Sequence, residues 1–321
     1  MLVHLLRRLG QSVLVLLAVS LISFGVFRHI GDPTISLLGE DATLEERAEL
    51  TARLGFDRPV PVQYLRYLGD VLQGDLGVSY RFKRPVAELI AERLPATLEL
   101  ALVAAVFAIV GGIALGVYTA IHRDGALSRA IMTVSLVGVS LPTFLIGIGL
   151  IYLFAVELRW LPSFGRGETV KLGAWSTGLL TASGWSALLL PAFTLGFYKL
   201  TLIMRLVRAE MLEVLRSDYI RFGRARGLRT RDLHYGHALR NTLIPVITIT
   251  GLQIGSLIAF AIVTETVFQW PGVGLLFITS IQGVDVPVVA AYLLLIALLY
   301  VLINLVVDLL YVAVDPRLRV A

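Results

Sequence analysis

The chain has 321 residues, of which 57% are hydrophobic and 16% charged, and its mean hydropathy is +0.81. A soluble domain is about 45–50% apolar and about 25% charged, so this composition excludes a core surrounded by water and places the chain in a membrane. The net charge of +5 lies beside the apolar runs, which assigns it to topology rather than to nucleic acid. The absence of cysteine excludes disulfides, thiolate metal sites and a thiol nucleophile.

Six stretches, 9–27, 100–121, 130–156, 186–204, 243–264 and 286–307, are long and apolar enough to cross a bilayer core of roughly 30 Å as helices. The first resembles a secretory signal, since Arg7 and Arg8 precede it. Arg28-His29-Ile30-Gly31-Asp32 then follows without a small-residue cleavage site, so it reads as a retained anchor. Pro142 interrupts the third span and Pro191 the fourth. Gly111, Gly112, Gly116, Gly147, Gly149 and the pair Gly251 and Gly255 suit helices that approach closely and slide. Lys199 is placed near the inner end of its span, where it can snorkel, and Glu265 and Asp308 sit at span ends as interface anchors.

Orientation follows from the short loops. With the N-terminus inside, the cytoplasmic segments hold Arg7, Arg8, Arg123, Arg129, nine arginines from Arg205 to Arg240, Arg317 and Arg319. The short outer loops hold only Arg159, Arg166 and Lys171. Both termini are therefore expected in the cytoplasm. Segment 28–96 lies outside. Its Thr43-Leu44-Glu45-Glu46 is a capping box for a helix ending near Gly55. An amphipathic stretch over 62–72 comes next, and Pro85 then opens a helix that stops before Leu94-Pro95. The segment reads either as a cap on the outer face or as a docking surface for something delivered from outside. The chain divides into residues 1–96, the first span with this segment, and 97–321, a five-helix core with the cytoplasmic loop 205–240.

Catalytic chemistry is missing from this pattern. A phosphate-cradling loop needs Gly-Lys-Ser/Thr, whereas Lys83 follows Phe82, Lys171 follows Val170 and Lys199 follows Tyr198. If ATP drives this protein, another chain hydrolyses it. His234 and His237 are three apart but lack further ligands, so no metal site is assigned. No catalytic, cofactor-binding or substrate residue is legible.

Loop 205–240 carries nine arginines and four acids in a pattern. Glu210 and Glu213 lie among Arg208 and Arg216 at helical spacing, which extends the fourth helix beyond the membrane. Ser217-Asp218 supplies an N-cap, Tyr219 to Arg226 forms about two turns, and Gly227 ends them. Thr230 is placed to cap a further helix running to Pro245. A short capped helix joined rigidly to two spans is what mechanical coupling needs.

The run Asp218-Tyr219-Ile220-Arg221-Phe222-Gly223-Arg224-Ala225-Arg226-Gly227-Leu228, followed by His237-Ala238-Leu239-Arg240-Asn241-Thr242-Leu243-Ile244-Pro245, resembles the membrane subunits of binding-protein-dependent ABC importers of the dipeptide/oligopeptide/nickel family. Gly74-Asp75-Leu76-Gly77, Leu94-Pro95-Ala96-Thr97-Leu98-Glu99-Leu100, Trp160-Leu161-Pro162 and Trp270-Pro271-Gly272-Val273-Gly274 are similar to the same family. The resemblance implies an all-α permease of six spans with a coupling helix between spans four and five, in a bacterial or archaeal plasma (inner) membrane. It further implies a homologous or identical second permease subunit, two cytoplasmic subunits that bind ATP and Mg, and an external solute-binding protein. By the same resemblance, Asp218, Tyr219, Arg221, Arg224, Ala225, Arg226, Gly227 and Leu228 contact the ATPase. Two departures stand out. The Glu-Ala-Ala of the broad importer consensus is replaced by Arg221-Phe222-Gly223, and Gly223 stands where alanine is commoner, which implies a slightly less stable coupling helix. The alternative function is a secondary transporter or channel that needs no ATPase.

Overall fold

A computed structural model describes residues 2–29, 43, 45–46 and 58–314. It is built of helices: α1 (Leu2–His29), α2 (Val60–Leu72), α3 (Val86–Ile121), α4 (Ala126–Ser140), α5 (Thr143–Leu150), α6 (Ala182–Val214), α7 (Asp218–Ala225), α8 (Leu239–Val267), α9 (Val273–Gln282) and α10 (Val286–Val314). Two wider, π-helical turns extend them, Ile151–Glu157 after α5 and Asp232–Ala238 before α8. By length and composition α1, α3, α6 and α10 can each cross a membrane. Six crossings result when the two bent units, α4 with α5 and the two halves of α8, each count as one.

The third apolar stretch is not one straight helix. Its two halves meet at 114° around Leu141-Pro142. Pro142 has no N–H to donate, and its ring restricts Leu141 to the extended conformation that it adopts (ψ 138°). Pro191, by contrast, leaves α6 unbroken and is buried within it. The expected stop before Pro95 is also corrected. The helix begun after Pro85 runs through Pro95 to Ile121, so the outer segment and the second span form one rod of 36 residues. Position 96–97 thus lies inside α3.

The core is the contact of α3 with α6. Leu100, Ala104, Ala108, Gly112, Gly116 and Ala120 recur every fourth residue of α3 and are all buried. Small residues at this spacing let two backbones approach, which is how helices associate without a hydrophobic drive from water. An added Cβ at Gly116 meets the Val207 side chain at 2.6 Å and the Met204 carbonyl at 2.8 Å. One at Gly196 meets the Ala104 carbonyl at 2.7 Å. Gly116→Leu is therefore expected to separate α3 from α6 and lower the melting temperature of the purified protein, while Gly149→Ala, which meets nothing within 4 Å, leaves it unchanged.

The Gly251 and Gly255 pair is occupied within the chain. Gly251 faces Val307, and Gly255 faces Tyr300 and Asn304, all on α10. An element absent from the sequence reading is a β-hairpin, β1 (Val170–Leu172) and β2 (Trp175–Thr177), paired antiparallel with Lys171 opposite Ser176. The capping box forms as read: Thr43 N–H donates to Glu46 Oε2 at 2.8 Å and Glu46 N–H to Thr43 Oγ1 at 3.2 Å. These bonds, the backbone one first, hold the Glu46 carboxyl below its ordinary pKa. The expected end of that helix near Gly55 lies outside the described residues.

Candidate coupling site

α7 is short and owes its place to its two ends and one face. Ser217 occupies the N-cap position, but its hydroxyl donates back to the Val214 carbonyl rather than capping α7. The C-terminal stop forms as the sequence implied. Gly227 adopts φ +80°, its N–H donates to the Arg224 carbonyl at 3.0 Å, and the Leu228 N–H donates to the Gly223 carbonyl at 3.2 Å. This pair of bonds is the Schellman arrangement, which satisfies carbonyls that a helix end leaves free. The next helix begins at Thr230 itself, one residue earlier than a Thr230 cap requires, and the Leu233 N–H donates to the Arg229 carbonyl.

The inner face of α7 is Ile220, 1% exposed, and Gly223. Ile220 belongs to one cluster with Leu233 and Ala238 of the following turn, Val207 and Met211 of α6, and Val117 and Ala120 of α3. α7 is thereby packed against the adjacent ends of α3, α6 and α8. Asn241 at the start of α8 donates to Tyr219 Oη at 2.8 Å, a second link from α7 to α8. The glycine at 223 does not simply weaken the helix, as its departure from the family pattern implied. A Cβ there meets Leu233 Cδ2 at 2.8 Å and Leu228 Cδ1 at 3.3 Å, so the bare backbone lets α7 sit down on Leu233. Gly223→Val is expected to lift α7 and loosen the loop, read as faster proteolysis between residues 216 and 232 in the detergent-solubilised protein.

The outer face of α7 points away from the bundle. Tyr219 is 44% and Phe222 64% exposed, and Asp218, Arg221, Arg224, Ala225, Arg226 and Leu228 are exposed with them. Arg226 lies over the Phe222 ring at 5.6 Å, and Arg221 forms an exposed pair with Asp218 at 3.4 Å. All eight residues assigned to coupling from sequence thus share one exposed unit. The other arginines of the loop divide. Arg208 donates to the Thr119 carbonyl at 2.9 Å and so caps the end of α3, and Arg205 reaches Ser135 of α4 at 3.4 Å. Of the two histidines, His237 is exposed and His234 half-buried. Burial, then the nearby Arg224 and His122, lowers the His234 pKa below the usual imidazole value.

Sequence reasoning missed a second constellation at the opposite end of the bundle. Three acids there, Glu99, Glu265 and Asp285, are buried and hydrogen-bonded. Glu99 Oε2 is 2.6 Å from Arg166 Nη2, and Glu99 also accepts from Trp175 Nε1 at 3.0 Å and the Gly178 N–H at 3.3 Å. Glu265 is no interface anchor, being 0% exposed. It accepts from Thr97 Oγ1 at 2.6 Å and from the Leu275 N–H at 2.9 Å, at the start of α9. Asp285, also 0% exposed, accepts from Ser79 Oγ and the Tyr80 N–H. The Trp270 indole N–H donates to the Ala96 carbonyl at 3.0 Å. The motif pieces at 94–100 and 270–274, far apart in sequence, are therefore bonded to each other.

A bundle of long apolar helices with a short helix exposed at one end is the architecture of a multi-pass membrane protein. The fold is similar to a chain of the MetNI methionine ABC transporter, solved in inward-facing conformations, at a TM-score of 0.56 and 20% identity over 71% of this chain and 96% of that one. Residues 112–320 match the family described as the binding-protein-dependent transport system inner membrane component, and residues 1–101 match the N-terminal family of the same systems. The chain is 41% identical over 332 residues to the dipeptide transport system permease protein DppB of Alkalihalophilus pseudofirmus, covering 99% of this chain and 100% of that one. It is 41% identical over 336 residues to DppB of Escherichia coli K12 and 39% over 321 residues to the glutathione transport system permease protein GsiC of Salmonella paratyphi A, with 99% of each chain covered. The chain belongs to the binding-protein-dependent transport system inner membrane component family and is a permease subunit of an ABC importer.

Proposed function

We propose that this chain pairs with a second, homologous or identical permease subunit to form the path by which small peptides cross a bacterial or archaeal inner membrane. Both its termini lie in the cytoplasm. An external binding protein delivers the solute, and two cytoplasmic subunits bind ATP and Mg and hydrolyse the ATP. The chain itself performs no catalysis. Its similarity to dipeptide and glutathione permeases over full length supports a peptide substrate. The arginine balance supports the orientation.

The observation that carries the coupling role is α7 itself, anchored by Ile220 and presenting Tyr219 and Phe222 outward. Large aromatics left bare beside arginines mark a protein contact, because such side chains gain most from burial in a partner's pocket. α7 seated in a groove of the ATPase then transmits closure of the ATPases to α3, α6 and α8. Phe222→Glu tests this. The expected outcome is a protein that inserts and melts normally but no longer co-purifies with its ATPase subunits. Undiminished co-purification rules the docking face out.

A further inference from the structure

Lys199 was expected to snorkel to the inner surface, and it does not. It is 7% exposed and turned inward against the middle of α8. Its Nζ donates to Gln253 Oε1 at 2.7 Å and stands 5.5 Å from the centroid of the Tyr198 ring. Gln253 is at the midpoint of α8, 14 residues from either end. An ammonium this deep in a membrane is costly and calls for a partner. A neutral amide oxygen answers one of its three N–H donors.

Among the described residues no carboxylate forms a salt bridge with Lys199. The acids on the three helices around it are far off or engaged: Glu88 and Glu92 pair with Arg84 near the start of α3, Glu99 is held by Arg166, Glu265 by Thr97, and Glu210 and Glu213 lie eleven and fourteen residues further along α6. A second polar group is unanswered at the same place. Thr250 is 6% exposed, and its Oγ1 has no hydrogen-bond partner. Lys199, Gln253 and Thr250 line one small void with Ala105, Ala108 and Leu257. The open stripe of α8 over them runs Ile249, Gln253, Ser256, Phe260, with the two polar residues central and half-buried. The Gly251 and Gly255 face of α8 is already taken by α10. A mid-membrane polar stripe does not face lipid; it faces protein or a water-filled path.

We propose that Lys199, Gln253 and Thr250 form an anion-binding point on the wall of the translocation path, which takes a carboxylate of the transported solute. This rests on the importer reading above. As the helices stand, the void has room for about one water molecule. A carboxylate enters when α8, which bends by 48° between Gly251 and Gly255, moves off α6. Such an acceptor supplies the charge that Gln253 lacks and gives Thr250 Oγ1 its partner.

The chain has no cysteine, so Gln253→Cys in the intact transporter, reconstituted in liposomes, reports on this position alone among its residues. Labelling is compared between an anionic and a cationic methanethiosulfonate, with Lys199 present or as Lys199→Met. The expected result is a preference of about tenfold for the anionic reagent that Lys199→Met removes. A free-acid tripeptide is expected to slow the labelling, and its C-terminal amide not to. Lys199→Met alone is expected to reduce peptide uptake about tenfold to a hundredfold, the worth of one charge-assisted hydrogen bond, and Lys199→Arg to restore most of it. No reaction with either reagent, a preference indifferent to Lys199, equal protection by acid and amide, or undiminished uptake in Lys199→Met each overturns the proposal. A Lys199 that instead pairs with a carboxylate of the second permease subunit gives no anionic preference while it is present and a cationic one in Lys199→Met, which also overturns the proposal. Absence of ATP-driven peptide uptake by the unaltered transporter would tell against the importer reading instead, while the charge preference still reports on the site.

Discussion

Gly227→Pro abolishes solute uptake and the stimulation of ATP hydrolysis by solute, while the protein inserts and accumulates normally. Two physical effects coincide at this residue. Gly227 sits at φ +80°, and a proline ring holds φ near −65°, so the chain cannot turn out of α7 as it does. Proline also has no N–H, so the bond to the Arg224 carbonyl is lost. Residues 216–228 then lose their defined end, and Tyr219 and Phe222 lose their fixed direction. Gly227→Ala retains the N–H and strains only φ, at about 1–2 kcal/mol, so partial uptake is expected. ATP-driven uptake in liposomes, beside the yield of folded protein, separates the outcomes. Normal uptake by Gly227→Pro identifies α7 as a plain surface helix.

Arg166→Met is expected to have the largest effect on stability. The Arg166 and Glu99 side chains are 7% and 4% exposed, and Arg166 also donates to the Ser176 carbonyl at 2.6 Å. Removing the cation leaves a buried carboxylate with neutral donors alone, Trp175, Thr177 and Gly178 among them, a change that costs roughly 3–5 kcal/mol. Because Ser176, Trp175 and Gly178 lie in or beside the β-hairpin, the loss is local first: the segment from residue 158 to 181 comes away from α3. Protease cleavage confined to that segment, together with a lowered melting temperature, is the expected pattern. Glu99→Gln combined with Arg166→Met recovers part of the stability, since no buried charge then remains. Equal melting of Arg166→Met and the unaltered protein contradicts this account of the clasp.

Much of this was legible from residue pattern. Apolar runs placed the long helices, and the Gly227 stop was visible because only glycine takes that backbone geometry readily. The eight residues assigned to coupling fell together because a short helix needs little beyond its own neighbours to be positioned. What escaped was tertiary. Pro142 and Pro191 look alike in sequence, yet α4 and α5 diverge at one while α6 continues through the other. Glu265 and Lys199 looked like interface residues by their position along a span. Their partners, Thr97 and Gln253, lie 168 and 54 residues away in the chain and could not be assigned from local pattern. The every-fourth-residue ladder of Leu100, Ala104, Ala108, Gly112, Gly116 and Ala120 was readable and went unread, since only its glycines were noticed.

The central claim is that α7 is seated in an ATPase subunit. Phe222→Cys in this cysteine-free chain, carrying a photoreactive maleimide and illuminated in the assembled transporter, tests it most directly. The account predicts a covalent adduct with an ATPase subunit, in a yield that changes between the ATP-bound and nucleotide-free states. An adduct with lipid or with the external binding protein, or none at all, contradicts it.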